Sequence, residues 1–126
     1  MAELVEKELS YKIVGVFFSV YNGLGGGYQE KYYQRAVAKE FQAVGLKFIE
    51  QINIPLSFRG SPLGRYLLDF LVEDKVVVEI KASNQFYDRD IKQVLGYLKA
   101  SNLRLGILAR FGRNKLETKR VLKGNN

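Results

Sequence analysis

Apolar side chains recur at helical spacing in three segments of the chain, which indicates three amphipathic helices. The helices are expected at about residues 4–21, Tyr28–Val44 and Asp88–Ala100. The glycine-rich stretch "NGLGGG" ends the first helix, and Gly45 lies just beyond the second helix as its C-cap. Asp88 is the expected N-cap of the third helix.

Shorter apolar runs bounded by turn sequences predict β-strands. They cover about Lys47–Phe58, Gly64–Val72, Val76–Ala82 and Leu103–Phe111, and the segment "KLETKRVL" near the C-terminus is expected to be a short basic strand or tail. The resulting order, ααβββαβ, predicts one mixed α/β domain over residues 1–126, with helices flanking a central sheet.

The second and third strands form a hairpin whose register follows from the apolar pattern. With the turn at Glu73–Lys75, one face of the hairpin becomes entirely apolar, and a slip of one residue would expose it. The expected pairs on that face are Val72–Val76, Phe70–Val78 and Leu68–Ile80.

The opposite face of the hairpin carries charge. The same register places Asp69 opposite Glu79, and Lys81 shares their face because strand side chains alternate. Two facing carboxylates destabilise a sheet, whereas a divalent cation such as Mg²⁺ binds carboxylate oxygens, and the Ile80 carbonyl offers another oxygen. The alternative is a group of exposed ions on a solvated face.

Glu30 is a further candidate carboxylate for the same site. It lies three, seven and eleven positions before Tyr33, Val37 and Phe41, so it falls within the apolar stripe of the second helix. The alternative is a glutamate in a first helical turn, stabilised there by the helix dipole.

Gln93 and Tyr97 lie four residues apart on the third helix and are expected to share a polar face with Arg89. By themselves they are ordinary surface residues. The core face of this helix is expected to consist of Ile91, Val94, Leu95 and Leu98.

The composition and the net charge limit the kinds of active site and partner that the chain can have. The chain has no cysteine and no histidine, which excludes disulfides, thiolate or imidazole metal sites and histidine general bases. Its net charge of +7 favours a polyanionic partner such as nucleic acid, or an anionic membrane surface, over a merely basic protein. The expected phosphate contacts are Arg65, Arg89, Lys92 and Lys99.

No segment approaches the roughly 20 apolar residues needed to span a bilayer. The first residues, "MAELVEKEL", are acidic where a signal peptide carries positive charge. A cytoplasmic protein that does not enter membranes is therefore expected.

Three motifs in this order carry a family resemblance. Asp69, then "EIK" at Glu79–Lys81, then "QVLGY" at Gln93–Tyr97, resemble the PD-(D/E)XK nuclease superfamily, although Leu68 stands where the superfamily name has proline. "GYQEKYY" resembles the signature of the GxxExxY family within it. The resemblance runs from the first helix through "LETKRV" and implies a restriction-endonuclease-like core.

The resemblance also implies roles for the candidate residues. Asp69 and Glu79 would be ligands of Mg²⁺, for which Mn²⁺ would substitute, and Lys81 would position or activate the attacking water. Glu30 would be an additional acidic residue and ligand. Residues that order the substrate or surround the site would be Gln93, Tyr97 and Tyr33.

The expected function is a metal-dependent nuclease that hydrolyses phosphodiester bonds, with DNA favoured over RNA. One alternative is a non-catalytic nucleic-acid-binding module with a degenerate site, and another is a protein-interaction subunit. A chain of this size is also compatible with a homodimer.

Overall fold

The computed structural model describes residues 5–124, which form three helices and five strands. In chain order these are α1 (Lys7–Leu24), α2 (Glu30–Ala43), β1 (Phe48–Phe58), β2 (Ser61–Val72), β3 (Val76–Lys81), α3 (Asp88–Ser101), β4 (Leu105–Phe111) and β5 (Leu116–Leu122). Every expected helix and strand forms. The expected start of the first helix at residue 4 lies outside the described residues.

The ends of several elements differ from the expectations. Helix α1 ends at Leu24 and so includes the first three residues of "NGLGGG", and β2 begins at Ser61 rather than at Gly64. The N-cap of α3 is Tyr87 rather than Asp88, and no side chain caps this helix end. The basic segment near the C-terminus is a full strand, β5, and not a tail. At the end of α2, Gly45 takes a φ of +78° directly after the C-cap Val44, a conformation that glycine adopts without strain.

The five strands form one mixed sheet in the order β1-β2-β3-β4-β5. All neighbouring pairs are antiparallel except β3 and β4, which are parallel. A parallel pair needs a long crossover connection, and α3 supplies it. The result is the expected mixed α/β arrangement with helices flanking a central sheet.

Each face of the sheet buries its own apolar cluster. Helices α1 and α2 cover one face, where Phe17, Tyr33 and Phe41 are fully buried. Helix α3 covers the other face with Val94, Tyr97 and Leu98. In β3, the residues Val76, Val78 and Ile80 belong to the first cluster and Val77 to the second, as the alternation of strand side chains requires.

The hairpin of β1 and β2 contains an irregularity, and the side chains on its two sides do not keep the regular alternation between the faces of the sheet. Gln51 has a φ of +52°, and the register runs from Glu50–Phe70 to Ile52–Leu68 around it. Phe70 packs in the α1/α2 cluster, whereas Leu68 packs in the α3 cluster. The expectation that Leu68 shares the apolar face of Phe70 is therefore wrong, because the pleat does not continue through this point.

The expected β2–β3 register is confirmed only near the turn. Its pairs are Val72–Val76, Leu71–Val77 and Phe70–Val78, and the ladder ends there. The expected pairs Leu68–Ile80 and Asp69–Glu79 lie beyond that end and are not part of the ladder. Within residues 5–124, no helix is both long enough and apolar enough to cross a membrane.

Candidate active site

Asp69 and Glu79 bridge the two strands where the β2–β3 ladder ends. The Asp69 amide donates to Glu79 Oε1 at 3.1 Å, and the Ile80 amide donates to Asp69 Oδ2 at 2.7 Å. Each side chain thus bonds the backbone of the other strand, in place of a ladder of backbone bonds. We call Asp69, Glu79 and Ile80 the fork. These two bonds fix both carboxyl groups side by side.

Lys81 lies beside the fork on the face that α3 covers. Its Nζ is 3.5 Å from Glu79 Oε2 and 3.8 Å from Asp90 Oδ1. The Glu79 and Asp90 side chains are buried, whereas a quarter of the Lys81 side chain is exposed (25%). An ammonium group held this way is fixed in position and still accessible from solvent.

Glu30 approaches the fork from α2, on the opposite side of the sheet from α3. Its Oε1 accepts a bond from the Ala82 amide at 3.4 Å, and its Oε2 accepts one from Gln34 Nε2 at 3.3 Å. Gln34 Nε2 also donates to Asp69 Oδ1 at 2.9 Å. Glu30 therefore points toward the fork but reaches Asp69 through the Gln34 amide.

The short distances between Asp69, Glu79 and Lys81, together with burial, shift the pKa values of Glu79 and Lys81. Burial, and then the charge of neighbouring Asp69, raise the pKa of Glu79 to about 9. Burial alone would lower the pKa of Lys81, but the surrounding carboxylates, Glu79 first, outweigh it and raise that pKa. Lys81 consequently stays protonated, and a further positive charge would relieve the repulsion between the two acids of the fork.

The donor chemistry of the fork fits a hard divalent cation. Mg²⁺ usually takes one or two protein carboxylates, together with waters and phosphates. Asp69 and Glu79 supply two, but within residues 5–124 no three acidic side chains come close enough to enclose an ion. Three of the four carboxylate oxygens of Asp69 and Glu79 already accept hydrogen bonds from N–H groups, which an arriving cation would displace.

The two residues expected around the site on α3 lie in different environments. Gln93 Nε2 donates to the Leu67 carbonyl at 3.1 Å and so holds β2 just beyond the fork. Tyr97 is buried in the α3 cluster, and burial raises the pKa of its hydroxyl. The expectation of a polar face shared by Gln93, Tyr97 and Arg89 is therefore wrong for Tyr97.

Tyr33 is fully buried and supports the glycine-rich turn. Its hydroxyl donates to the Gly25 carbonyl at 2.6 Å and accepts a bond from the Tyr28 amide at 3.3 Å. Its ring stacks on Phe111 with centroids 4.6 Å apart. In this position Tyr33 has no surface to offer a substrate and instead fixes the chain that leads into Glu30.

The expected phosphate-binding residues are all exposed. Arg65 lies on β2 near the far end of the first hairpin, where it pairs with Pro55. The other three lie on α3, and the Arg89 guanidinium sits 4.4 Å from the centroid of the Tyr87 ring. Their role in binding phosphate stays a prediction.

Three residues near the fork are not among the site residues expected from the sequence. Asp90 precedes Val94 and Leu98 by four and eight positions, the same signal that identified Glu30. Gln34 lies one turn after Glu30 on the same helix face. Arg110 pairs with Lys81 across the parallel β3–β4 ladder and donates to the Ser83 carbonyl at 2.7 Å and to Glu117. Only the fold reveals Arg110, because that pairing is not local.

Several solved structures are similar to this chain, among them the following two. The protein SSO0001 matches with a TM-score of 0.59 and 12% identity, over 76% of this chain and 50% of that one. The chain thus spans half the length of SSO0001. An alkaline exonuclease (LHK-Exo) from Laribacter hongkongensis matches with a TM-score of 0.55 and 14% identity, over 98% of this chain and 73% of that one.

At these identities the two matches show the fold, which is restriction-endonuclease-like, with the five-stranded mixed sheet between its helices. A search of curated proteins found no match. The family model of the PD-(D/E)XK nuclease superfamily matches residues 7–121. Since this match extends from the start of α1 to the last strand, the chain belongs to the PD-(D/E)XK nuclease superfamily.

Proposed function

We propose that this chain is a metal-dependent nuclease that hydrolyses phosphodiester bonds at the fork, in DNA more readily than in RNA. The observation that carries the proposal is the reciprocal bridge of Asp69 and Glu79, at 3.1 and 2.7 Å, with the Lys81 ammonium 3.5 Å from Glu79. Membership of the superfamily supports it, since PD-(D/E)XK nucleases generally use divalent metals such as Mg²⁺. The finer assignment to the GxxExxY family rests on Gly27, Glu30 and Tyr33.

The residues that would hold Mg²⁺ or Mn²⁺ are Asp69, Glu79 and the Ile80 carbonyl. When bound, the ion supplies positive charge to a phosphate oxygen and lowers the pKa of a coordinated water. Glu30 acts as the further acid of the site and keeps Gln34 directed at Asp69 Oδ1.

Lys81 orients the reaction by donating hydrogen bonds. The neighbouring carboxylates raise its pKa, so it serves as a charged donor to the attacking water or to a phosphate oxygen rather than as a base. Glu79 and Asp90 fix its position from two sides. Gln93 keeps β2 in place beyond the fork, and the exposed cations of α3 and β2 bind backbone phosphates.

The decisive experiment incubates the purified chain with single- and double-stranded DNA and RNA in Mg²⁺, Mn²⁺ or EDTA. We expect cleavage only with metal, and faster cleavage of DNA. Glu79→Gln should abolish both cleavage and the rise in melting temperature that Mn²⁺ causes, since the ion loses a charged ligand. Lys81→Ala should keep that rise but slow turnover by about 100-fold or more, as expected for the loss of one positioned donor.

Absence of cleavage in every arm, or a Glu79→Gln variant as active as the parent, would contradict the proposal. A second candidate function, a non-catalytic nucleic-acid-binding module, is favoured by the hydrogen bonds that already occupy three fork oxygens. It predicts salt-dependent binding and a melting temperature that ignores Mn²⁺. The third candidate, a protein-interaction subunit, predicts no nucleic-acid binding.

A further inference from the structure

We propose that a groove between α2 and β1 binds single-stranded nucleic acid and leads it to the fork. This inference rests on the proposed nuclease function and names the form of its substrate. The groove, here called the α2–β1 groove, has a volume of about 380 Å³ and is lined by Lys31, Gln34, Arg35, Glu50 and Gln51. None of these residues was among the phosphate contacts expected from the sequence.

The groove is continuous with the candidate active site through one side chain. Gln34 forms part of its wall and also donates to Asp69 Oδ1 at 2.9 Å. A strand lying in the groove therefore ends one amide group away from the fork. The irregular backbone at Gln51, with its φ of +52°, lies on the opposite wall, where β1 departs from its regular pleat.

The charges of the groove suit a phosphate backbone. Lys31 and Arg35 lie one turn apart on α2 and set two cations against the single carboxylate of Glu50. Both cations are exposed and make no ion pair within the described residues. Since no carboxylate neutralises them there, both can contact successive phosphates of one strand.

Aromatic rings next to these cations suit unpaired bases. Lys31 Nζ and Arg35 Cζ lie 5.2 and 5.7 Å from the centroid of the Tyr32 ring, which is 43% exposed. Tyr28, 47% exposed, precedes it by four residues and is held edge-on against Tyr33 at 6.0 Å. Bases of a single strand gain stacking on such rings, whereas bases in a duplex are already stacked.

The test measures binding by fluorescence anisotropy in EDTA, which separates binding from cleavage. The probes are a short labelled DNA single strand, the same sequence as RNA, and a blunt DNA duplex. Tyr32→Ala should weaken single-strand binding by about 5-fold or more, the loss expected for one stacked base. Tyr32→Phe should bind like the parent, because the ring and not the hydroxyl carries the interaction.

The cations are tested by salt dependence. The double variant Lys31→Gln, Arg35→Gln should reduce the slope of log affinity against log salt for single strands by about 1.4, because each neutralised phosphate contributes about 0.7. A matched control is Arg104→Gln with Lys119→Gln, which removes the same charge near β4 and β5, away from the β1 edge of the sheet. It should leave that slope unchanged.

Two results would overturn the inference while the nuclease proposal stands, each in a Tyr32→Ala variant that still cleaves. In the first, the variant binds single strands as tightly as the parent does. In the second, it loses as much affinity for the duplex as for single strands. A change in the melting temperature of Tyr32→Ala without any change in binding would likewise make the tyrosine structural. A parent that binds none of the three probes would overturn both proposals. A loss of affinity in Tyr32→Ala that is confined to single strands, whether DNA or RNA, supports the role of the groove.

Discussion

At the residue scale, the fork holds two carboxylates close together, of which Asp69 is half-buried and Glu79 is almost inaccessible to solvent. Glu79 is 4% exposed, and its neighbours are Asp69 on one side and Lys81 on the other. Like charges in a buried position repel strongly, and burial together with this repulsion gives Glu79 a pKa of about 9 against its ordinary 4.5. Holding these two acids together in the fork therefore costs stability.

This cost predicts how stability depends on pH. Folding raises the pKa of the Glu79 carboxyl group. Below its ordinary pKa this group is protonated in both the folded and the unfolded chain and does not destabilise the fold. As the pH rises from the ordinary pKa toward the folded pKa, the free energy of unfolding falls. In EDTA, Glu79→Gln should therefore gain at least about 1.4 kcal/mol at pH 8, the equivalent of one pKa unit, and the gain should vanish near pH 4. Denaturant unfolding at several pH values measures it.

Glu117 provides a control of opposite sign. Its hydrogen bond from Arg110 lowers the pKa of its carboxyl group, so the stability it contributes is present at neutral pH and is lost as the pH falls through the folded pKa. Glu117→Gln should thus be less stable than the parent at neutral pH. A Glu79→Gln variant that behaves in the same way would show that the Glu79 charge is structural.

At the element scale, local periodicity predicts the three helices and the first four strands, because side-chain alternation and helical spacing are properties of short segments. The segment of β5 fits either a strand or a tail by its pattern, so the expected order ααβββαβ lacks the last strand of the structure. The errors came from interactions between distant segments. Leu68 was assigned to the wrong face because the irregularity at Gln51 belongs to the pairing of β1 with β2. Tyr97 was assigned to a polar face because a sequence pattern does not show that its ring joins the α3 cluster.

The site was predictable to a similar degree. The acids Asp69 and Glu79 could be placed together from the hairpin pattern alone, and Glu30 from its place in an apolar stripe. Asp90 and Gln34 carried the same kind of helical signal but were overlooked. A sequence pattern does not show that the β2–β3 ladder ends at Phe70–Val78, because the partners of a strand and not its own sequence decide where a ladder ends.

Two glycines of the first helix and its turn test how the elements fit together. A Cβ on Gly26 would lie 2.0 Å from the Arg113 carbonyl oxygen, so Gly26→Ala must displace backbone and should lose about 1–3 kcal/mol. Gly15 lies within α1 with nothing within 4 Å of such an atom, and Gly15→Ala should gain about 1 kcal/mol. Thermal melts of both variants decide it, and equal effects would contradict this packing.

At the scale of the whole molecule, the sheet brings together acids from both helical layers. Glu30 comes from α2 on one face and Asp90 from α3 on the other, and both meet the end of β3 at Ala82 and Lys81. Neither layer contains the site by itself. The geometry of the fork therefore depends on both apolar clusters being packed.

The basic surface gives a prediction at this scale. Duplex binding should weaken steeply with salt, and the variant Arg89→Gln, Lys92→Gln, Lys99→Gln should reduce the slope of log affinity against log salt by up to about 2.7, because each cation that neutralises a duplex phosphate contributes about 0.9. Filter binding at several salt concentrations measures this slope. Affinity that ignores salt in the parent would exclude phosphate binding by these residues.

The reciprocal bridge of the fork also makes the candidate site observable by spectroscopy without any substrate. The amide protons of Asp69 and Ile80 are bonded to the two carboxylates rather than to backbone carbonyls. Their chemical shifts in a ¹⁵N-correlated NMR spectrum should consequently follow the ionisation of the fork, and both signals should move together when a divalent cation takes the carboxylate oxygens. The chemical shifts of amides within the β4–β5 ladder should not change in the same titration. The resonances of Asp69 and Ile80 would then report the state of the candidate site.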